Sequence, residues 1–203
     1  MAPGLATAGI FMTLGGFIPM MFMKPTFQVQ TEKVNNKEKI ETIISKNSFF
    51  RKALYGMGTI GLGLSAAPLL AFASMVNPTI IPTCLGLTAA LFGGASLAAY
   101  RMPKDSMLKY GGVLGGSLLG LVGLQLVGLG ASYFVGYNPF IGTLFSASNY
   151  IAVALFTAMI AYDTHVAIKL YEAGEPDHLG VATQFLLDFW NIFTSLLRIF
   201  SSD

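Results

Sequence analysis

The chain has 203 residues, of which 54% are hydrophobic and only 11% are charged, and its formal net charge is +2. In soluble globular domains about a quarter of the residues are charged, so this composition excludes an ordinary water-soluble domain. So small a net charge does not provide the basic surface that nucleic acid requires, and we expect no nucleic-acid partner.

Six stretches of the chain are apolar enough and long enough to cross a membrane as helices, for which about 20 residues are needed. In chain order they cover residues 5–23, 53–76, 79–100, 107–134, 141–170 and 179–200. We therefore predict an all-α fold, a polytopic bundle of about six transmembrane helices surrounded by a lipid bilayer. Residues 1–52 hold the first span and a polar basic loop, and residues 53–203 form a membrane core of five helices.

The segment between the first two spans, residues 24–52, is the most polar part of the chain, with seven basic and three acidic residues. It also contains the apolar residues Val34, Ile40, Ile43 and Ile44. Two interpretations stay open for it, an amphipathic helix on the membrane surface and a solvated linker.

Basic residues give the orientation of the bundle, because basic loops stay on the side from which the chain is inserted. With six spans, eleven of the twelve Lys and Arg residues fall on one face, and only Arg198 falls on the other. This asymmetry supports an even number of spans and places both termini on the face opposite to the basic loops.

Glycines recur every four residues in the fourth apolar stretch, at Gly112, Gly116 and Gly120. Residues four apart share one face of a helix, and glycines on that face allow a neighbouring backbone to approach closely. We predict that this helix lies at the centre of the bundle and packs through these glycines. A glycine-lined pathway for a solute is the alternative interpretation.

Two carboxylates, Asp163 and Asp188, lie deep within apolar stretches. An ionised carboxylate at membrane depth costs at least about 2.5 kcal/mol, so such a residue usually faces the protein interior and has a function. The turn between the last two spans covers residues 173–177, and each aspartate is about twelve residues away from it. At the helical rise per residue both lie about 18 Å from the turn and should face each other.

Two carboxyl groups in a low dielectric should share a proton and titrate in two coupled steps, which makes the pair a candidate proton sensor. When deprotonated it offers oxygen ligands to Ca²⁺, although two carboxylates are fewer than the six to eight oxygens that Ca²⁺ prefers. His165, Gln184 and Asn191 are candidate supporting polar residues, the last two because they share a helix face with Asp188. A purely structural role of the aspartates, fixing the register of two helices, is the alternative.

No metal-ligand cluster, dinucleotide fingerprint or aspartic-protease motif accompanies these residues. We therefore expect no catalytic residue, no enzymatic activity and no cofactor apart from Ca²⁺ at the aspartate pair.

Two short segments around the aspartates match signatures of a known family. Residues 161–165, Ala-Tyr-Asp-Thr-His, are similar to the motif YDTQ, and residues 187–193, Leu-Asp-Phe-Trp-Asn-Ile-Phe, to the motif LDxxNIF. Through them the chain resembles the transmembrane Bax-inhibitor-motif family, and within it the mitochondrial growth-hormone-inducible branch. Residues 66–70 and 102–105 also resemble that branch, and the resemblance covers about residues 52–200.

The resemblance implies a helical bundle of about seven spans in which two aspartates, here Asp163 and Asp188, form a proton-sensitive pair that gates a Ca²⁺ leak or Ca²⁺/H⁺ exchange. It also implies the mitochondrial inner membrane, with the basic loops on the matrix side. The chain departs from the family in three respects. His165 replaces the usual Gln, one early span is missing, and no span has an internal Arg or Lys where related bacterial members carry an arginine latch.

Two functional hypotheses follow. The first is a proton-sensitive Ca²⁺ leak or exchanger, for which the retained aspartate pair argues. The second is a transport-inactive accessory subunit of a larger mitochondrial membrane complex, with other subunits as partners, for which the missing arginine and the missing span argue. Arg51 and Arg101, at the ends of spans, are the nearest candidates to replace that arginine.

The charge asymmetry gives a topology prediction. Cysteines introduced at Lys37 and at Glu175 should lie on one face of the membrane, and tags at the two termini on the other. Labelling with a membrane-impermeant thiol reagent in sealed vesicles, with Cys84 replaced, measures this. Termini on opposite faces would contradict the even number of spans.

Overall fold

The computed structural model describes residues 3–34, 38–136 and 138–202, so Lys37 lies outside the described residues. The elements in chain order are α1 (Pro3–Phe22), β1 (Thr26–Val34), β2 (Glu38–Lys46), α2 (Phe49–Val76), α3 (Ile80–Arg101), α4 (Gly111–Val135), α5 (Pro139–Glu172) and α6 (His178–Phe200). A short 3-10 turn at Leu108–Tyr110 leads into α4. The six helices coincide with the six apolar stretches, so the predicted all-α membrane fold is confirmed.

Five of these helices, α1 to α5, are long enough and apolar enough to cross a membrane. The sixth helix, α6, was predicted as a span but does not reach the same apolar content over the described residues. Its sequence includes Asp188, Asn191 and Arg198, which lower its mean hydropathy. That α6 crosses the membrane therefore stays a prediction.

The polar segment between α1 and α2 is a β-hairpin, which corrects both interpretations made from the sequence. Strands β1 and β2 pair antiparallel, with Thr26 opposite Lys46 and Val34 opposite Glu38. The physical reason is propensity, because β-branched side chains favour extended backbone. Strands β1 and β2 contain eight such residues, Thr26, Val29, Thr31, Val34, Ile40, Thr42, Ile43 and Ile44.

The chain forms two compact units. Unit 1 consists of Met1–Pro68 and Val166–Gln184, and unit 2 consists of Leu69–His165 and Phe185–Asp203. Helices α2, α5 and α6 each contribute residues to both units. The division at residue 52 into a first span with its loop and a five-helix core stays a prediction.

In unit 1, α1 and α2 approach each other through glycines. A Cβ atom added to Gly9 would lie 2.8 Å from the carbonyl oxygen of Gly61, and one added to Gly61 would lie 2.7 Å from the carbonyl oxygen of Gly9. Two turns further along α1, a Cβ atom on Gly16 would lie 2.6 Å from the carbonyl oxygen of Leu54. The two helices are therefore antiparallel and in backbone contact, which only glycine permits at these positions.

In unit 2, α6 is the most enclosed helix. Six consecutive residues, 192–197, are buried, so this part of α6 is covered on all sides. The fully buried apolar side chains of the core come from four helices, Ala73 of α2, Cys84 of α3, Ile160 of α5, and Ile192 and Leu197 of α6.

The prediction that α4 occupies the centre and packs through its glycines is wrong for the described residues. Gly112, Gly116 and Gly120 are exposed, and a Cβ atom added to any of them would meet nothing within 4 Å. Among the described residues of α4, Leu121 is the one apolar side chain in the buried core. The four-residue spacing shows that a face is open to close approach, but it does not show that another helix of the same chain is there.

Replacement by alanine should affect a glycine of α1 that contacts α2 differently from an exposed glycine of α4. Gly16→Ala should lower the thermal stability of the detergent-solubilised protein by about 1–3 kcal/mol, because the new methyl group meets backbone atoms of α2. Gly116→Ala should leave stability unchanged or raise it by up to about 1 kcal/mol, because alanine favours helix and the site is open. Thermal unfolding followed by circular dichroism measures both. Equal effects of the two variants would contradict the assigned glycine contacts.

Candidate functional site

Asp163 of α5 and Asp188 of α6 lie together in unit 2, as their equal distance from the intervening turn predicts. Each is 4% exposed, and their side chains are within hydrogen-bonding range of each other. Oδ2 of Asp188 is buried and receives no hydrogen bond from a donor in the described residues. A hydrogen bond between two carboxyl groups needs a proton on one of them.

The surroundings of the pair are apolar and tightly packed. Ile160, one turn before Asp163, and Ile192, one turn after Asp188, are both fully buried. The ring of Phe92 on α3 meets Phe185 and Phe189 of α6 edge-on, at centroid distances of 5.5 and 6.0 Å. These contacts hold α3 against α6 on either side of Asp188 in the sequence, and they keep the environment of the carboxyls at low dielectric.

Polar groups close in sequence to the pair are hydrogen-bonded within their own helices. Thr164 donates to the carbonyl of Ile160, at 2.7 Å. Asn191 donates through Nδ2 to the carbonyl of Leu187, at 2.8 Å. The aspartates are therefore left as the polar partners of each other, and separating them would expose two buried acids to an apolar surrounding.

The predicted supporting residues have different positions. His165 is 5% exposed and hydrogen-bonds through Nε2 to the carbonyl oxygen of Ala99 on α3, at 2.9 Å, with this ring nitrogen as the donor. Gln184 is exposed. Asn191 lies one turn beyond Asp188 but uses its amide N–H on its own helix. Their roles beside the pair stay predictions.

Two carboxyl groups make a sparse site for Ca²⁺. No group of three or more His, Cys, Asp or Glu side chains suitable for a metal occurs in the described part of the chain. Six to eight oxygens would have to come mostly from water and carbonyl groups. Such a donor set suits a cation in passage, as cargo, better than a resident ion.

An ion pair in unit 1 was not predicted from the sequence. Arg51, at the start of α2, is 2% exposed and donates from Nη1 and Nη2 to the carboxylate of Asp177, at 2.7 and 2.6 Å. Nη1 also donates to Oδ1 of Asn47. Asp177 in turn accepts the backbone N–H of Gly180 at 3.0 Å, so it caps the N-terminus of α6.

The ion pair with Asp177 occupies the guanidinium of Arg51, one of the two candidates for the replacement arginine. Arg101, the other candidate, is exposed. Burial raises the pKa of the Asp177 carboxyl, but the hydrogen bonds from Arg51 and Gly180 and the charge of Arg51 outweigh it, so the pKa lies below its ordinary value. One sequence feature could have indicated this site. Asp177 lies just before a predicted helix and three residues before Gly180, which is the spacing of a helix-capping aspartate.

Comparisons of the sequence with known proteins all indicate the same family. A family described as Inhibitor of apoptosis-promoting Bax1 matches residues 1–203. Bax inhibitor 1 of Homo sapiens is 32% identical over 139 residues, which are 68% of this chain and 54% of that protein. The inner membrane protein YbhL of Escherichia coli is 31% identical over 154 residues, 70% of this chain and 58% of that protein. The chain thus matches about half the length of these relatives.

The low pKa of Asp177 predicts how stability depends on pH. A carboxylate whose pKa is lowered by folding stabilises the fold above its unfolded pKa, about 3.9, and this contribution is lost as the pH falls through the lower folded value. Asp177→Asn should therefore cost roughly 2 kcal/mol at neutral pH and should weaken the loss of stability on acidification. Thermal unfolding in detergent as a function of pH measures this.

Asp177→Asn tests the ion pair separately from the helix cap, because asparagine caps a helix about as well as aspartate. Glu175→Gln, at an exposed carboxylate in the same turn, is the matched control and should behave like the parent. An Asp177→Asn protein as stable as the parent at neutral pH would show that the pair contributes nothing.

Proposed function

The chain belongs to the Bax inhibitor family of integral membrane proteins, and we propose that it is a proton-sensitive Ca²⁺ leak or Ca²⁺/H⁺ exchanger gated by Asp163 and Asp188. The observation that supports the proposal most directly is the contact of two buried carboxyl groups, one oxygen of which has no donor among the described residues. An apolar pair of similar size would pack at least as well at this position, so packing alone does not explain two acids there.

The proposed mechanism depends on the proton count of the pair. With one proton, the two carboxyl groups hydrogen-bond and hold α5 to α6 within unit 2. When that proton leaves, two negative charges face each other in a low dielectric, and they either separate or bind a cation between them. Movement of the two helix faces and entry of Ca²⁺ are then coupled to the same ionisation.

The role is non-enzymatic in this proposal, because the pair acts through charge and position and no bond of a substrate changes. Ca²⁺ is cargo that uses Asp163 and Asp188 as two of its oxygen ligands, with water supplying most of the others. The mitochondrial inner membrane, with the basic loops on the matrix side, is the proposed location. The support for it is the resemblance of the sequence to the growth-hormone-inducible branch.

A second function, that of an accessory subunit without transport, is favoured by one specific observation. Gly112, Gly116 and Gly120 form an exposed face on α4, and Val113 and Leu119 beside them are 67% and 75% exposed. A transmembrane helix of another subunit packs well against such a small-residue face. In that case the aspartate pair is a structural contact.

Ca²⁺ flux into proteoliposomes containing the purified protein tests the transport proposal. The flux of the parent should rise several-fold from mildly acidic to mildly alkaline pH, because loss of the shared proton separates the pair. Asp163→Asn and Asp188→Asn should each abolish this pH response, since asparagine keeps the size of the residue but cannot ionise.

Glu175→Gln removes an exposed carboxylate outside the pair and should keep the parental pH response. A parent protein without flux at any pH, recovered only together with other subunits, would overturn the transport proposal and favour the accessory role. A flux whose pH response survives both asparagine substitutions would show that the sensor lies elsewhere.

A further inference from the structure

Unit 2 contains a cavity of about 420 Å³ that the aspartate pair does not line. Polar and apolar side chains of α4, α5 and α6 share its wall, namely Gln125, Leu126, Leu129, Phe145, Asn149 and Arg198. A second cavity of about 340 Å³ is lined by Phe145, Asn149 and Arg198 as well, so the two adjoin.

Arg198 is the charged group of this site. It is the one basic residue that the charge distribution places on the face opposite to the basic loops. No described residue forms a salt bridge or a hydrogen bond with its guanidinium. A guanidinium in or near a hydrocarbon region normally has a counter-charge or reaches water, and this exposed residue lines both cavities.

A second polar group lies at the same place. Asn149 is only 9% exposed, lines both cavities, and makes no hydrogen bond with a described residue. Its neighbour Ser148, 2% exposed, donates to the carbonyl oxygen of Phe145 at 2.7 Å and also lines the larger cavity. Its side chain faces the cavities, so the free donors of Asn149 are available to an acceptor bound there.

The apolar part of the wall extends to the outer surface. Leu126 and Leu129 of α4 are both 62% exposed, and they line the larger cavity together with Phe145. In a membrane such leucines face acyl chains. The site therefore offers oxyanion-binding donors at one end and a lipid-facing apolar wall at the other.

We propose that this cavity binds an anionic lipid, whose phosphate or carboxylate accepts hydrogen bonds from Arg198 and Asn149 while an acyl chain follows Leu126 and Leu129. The guanidinium suits this head group because it presents several N–H donors in a plane and keeps its charge at any physiological pH. A small free anion would use the same donors but would leave the apolar wall without a function.

A simpler role for Arg198 makes a different prediction. An arginine in the last turn of a helix interacts favourably with the helix dipole and can extend to the interface. That role requires neither the cavity nor the buried Asn149, and it gives no preference among lipids.

Binding of defined lipids to the purified full chain in neutral detergent tests the proposal. The probes are phosphatidylglycerol, phosphatidylcholine and inorganic phosphate, and native mass spectrometry counts bound molecules while thermal unfolding measures stabilisation. We expect saturable binding of one phosphatidylglycerol per chain, with weak binding of the other two. Arg198→Gln should raise the apparent Kd for phosphatidylglycerol about tenfold, the loss expected for one charge-assisted hydrogen bond.

Arg101→Gln, the same change at an exposed arginine outside the cavity, is the matched control and should bind like the parent. Asn149→Leu removes the second proposed donor and supplies an independent variant should Arg198→Gln fold poorly; it should weaken binding several-fold. Parental affinity in both cavity variants, or equal binding of phosphatidylcholine, would overturn the site. Full competition by inorganic phosphate at matched concentration would overturn its assignment to a lipid.

Discussion

The contact between the carboxyl groups of Asp163 and Asp188 constrains how α5 packs against α6 in unit 2. Two acids surrounded by buried apolar side chains are tolerated only if they share a proton or hold a cation, so α5 and α6 must keep the register that brings them together. The aromatic contacts of Phe92 and the buried run 192–197 of α6 are built around that register. The same contact supplies both the packing constraint and the proposed sensor.

The helices and the aspartate contact were accessible from the sequence for simple physical reasons. Lipid demands about 20 apolar residues for each crossing, so the helix ends fall close to the ends of the apolar stretches. Two acids at equal distance from a tight turn must come to the same depth on antiparallel helices, whatever the rest of the bundle does. Both inferences use only distances along the chain.

Contacts between residues that are far apart in the chain could not be predicted from the sequence. Arg51 and Asp177 are 126 residues apart, and nothing in the local sequence pairs them. Glycine spacing gave the same signal for α4 as for a packed helix, yet the glycines in backbone contact are Gly9, Gly16 and Gly61 of α1 and α2. The hairpin was not predicted, because the charged residues of the segment indicate a solvated stretch, whereas the β-branched residues of β1 and β2 favour paired strands.

Helix α6 shows why apolar content and burial differ in a membrane protein. A helix enclosed by other helices meets protein on all sides, so polar residues on it are tolerated where they find partners. Asp177 precedes α6 and Arg198 lies in its last turn, where each complements the helix dipole, but that effect is confined to the terminal turns. Asp188 is ten or eleven residues from either, or about 15 Å along the axis. Its charge is therefore decided across the helix contact by Asp163, which is what a proton-sensitive gate at this position requires.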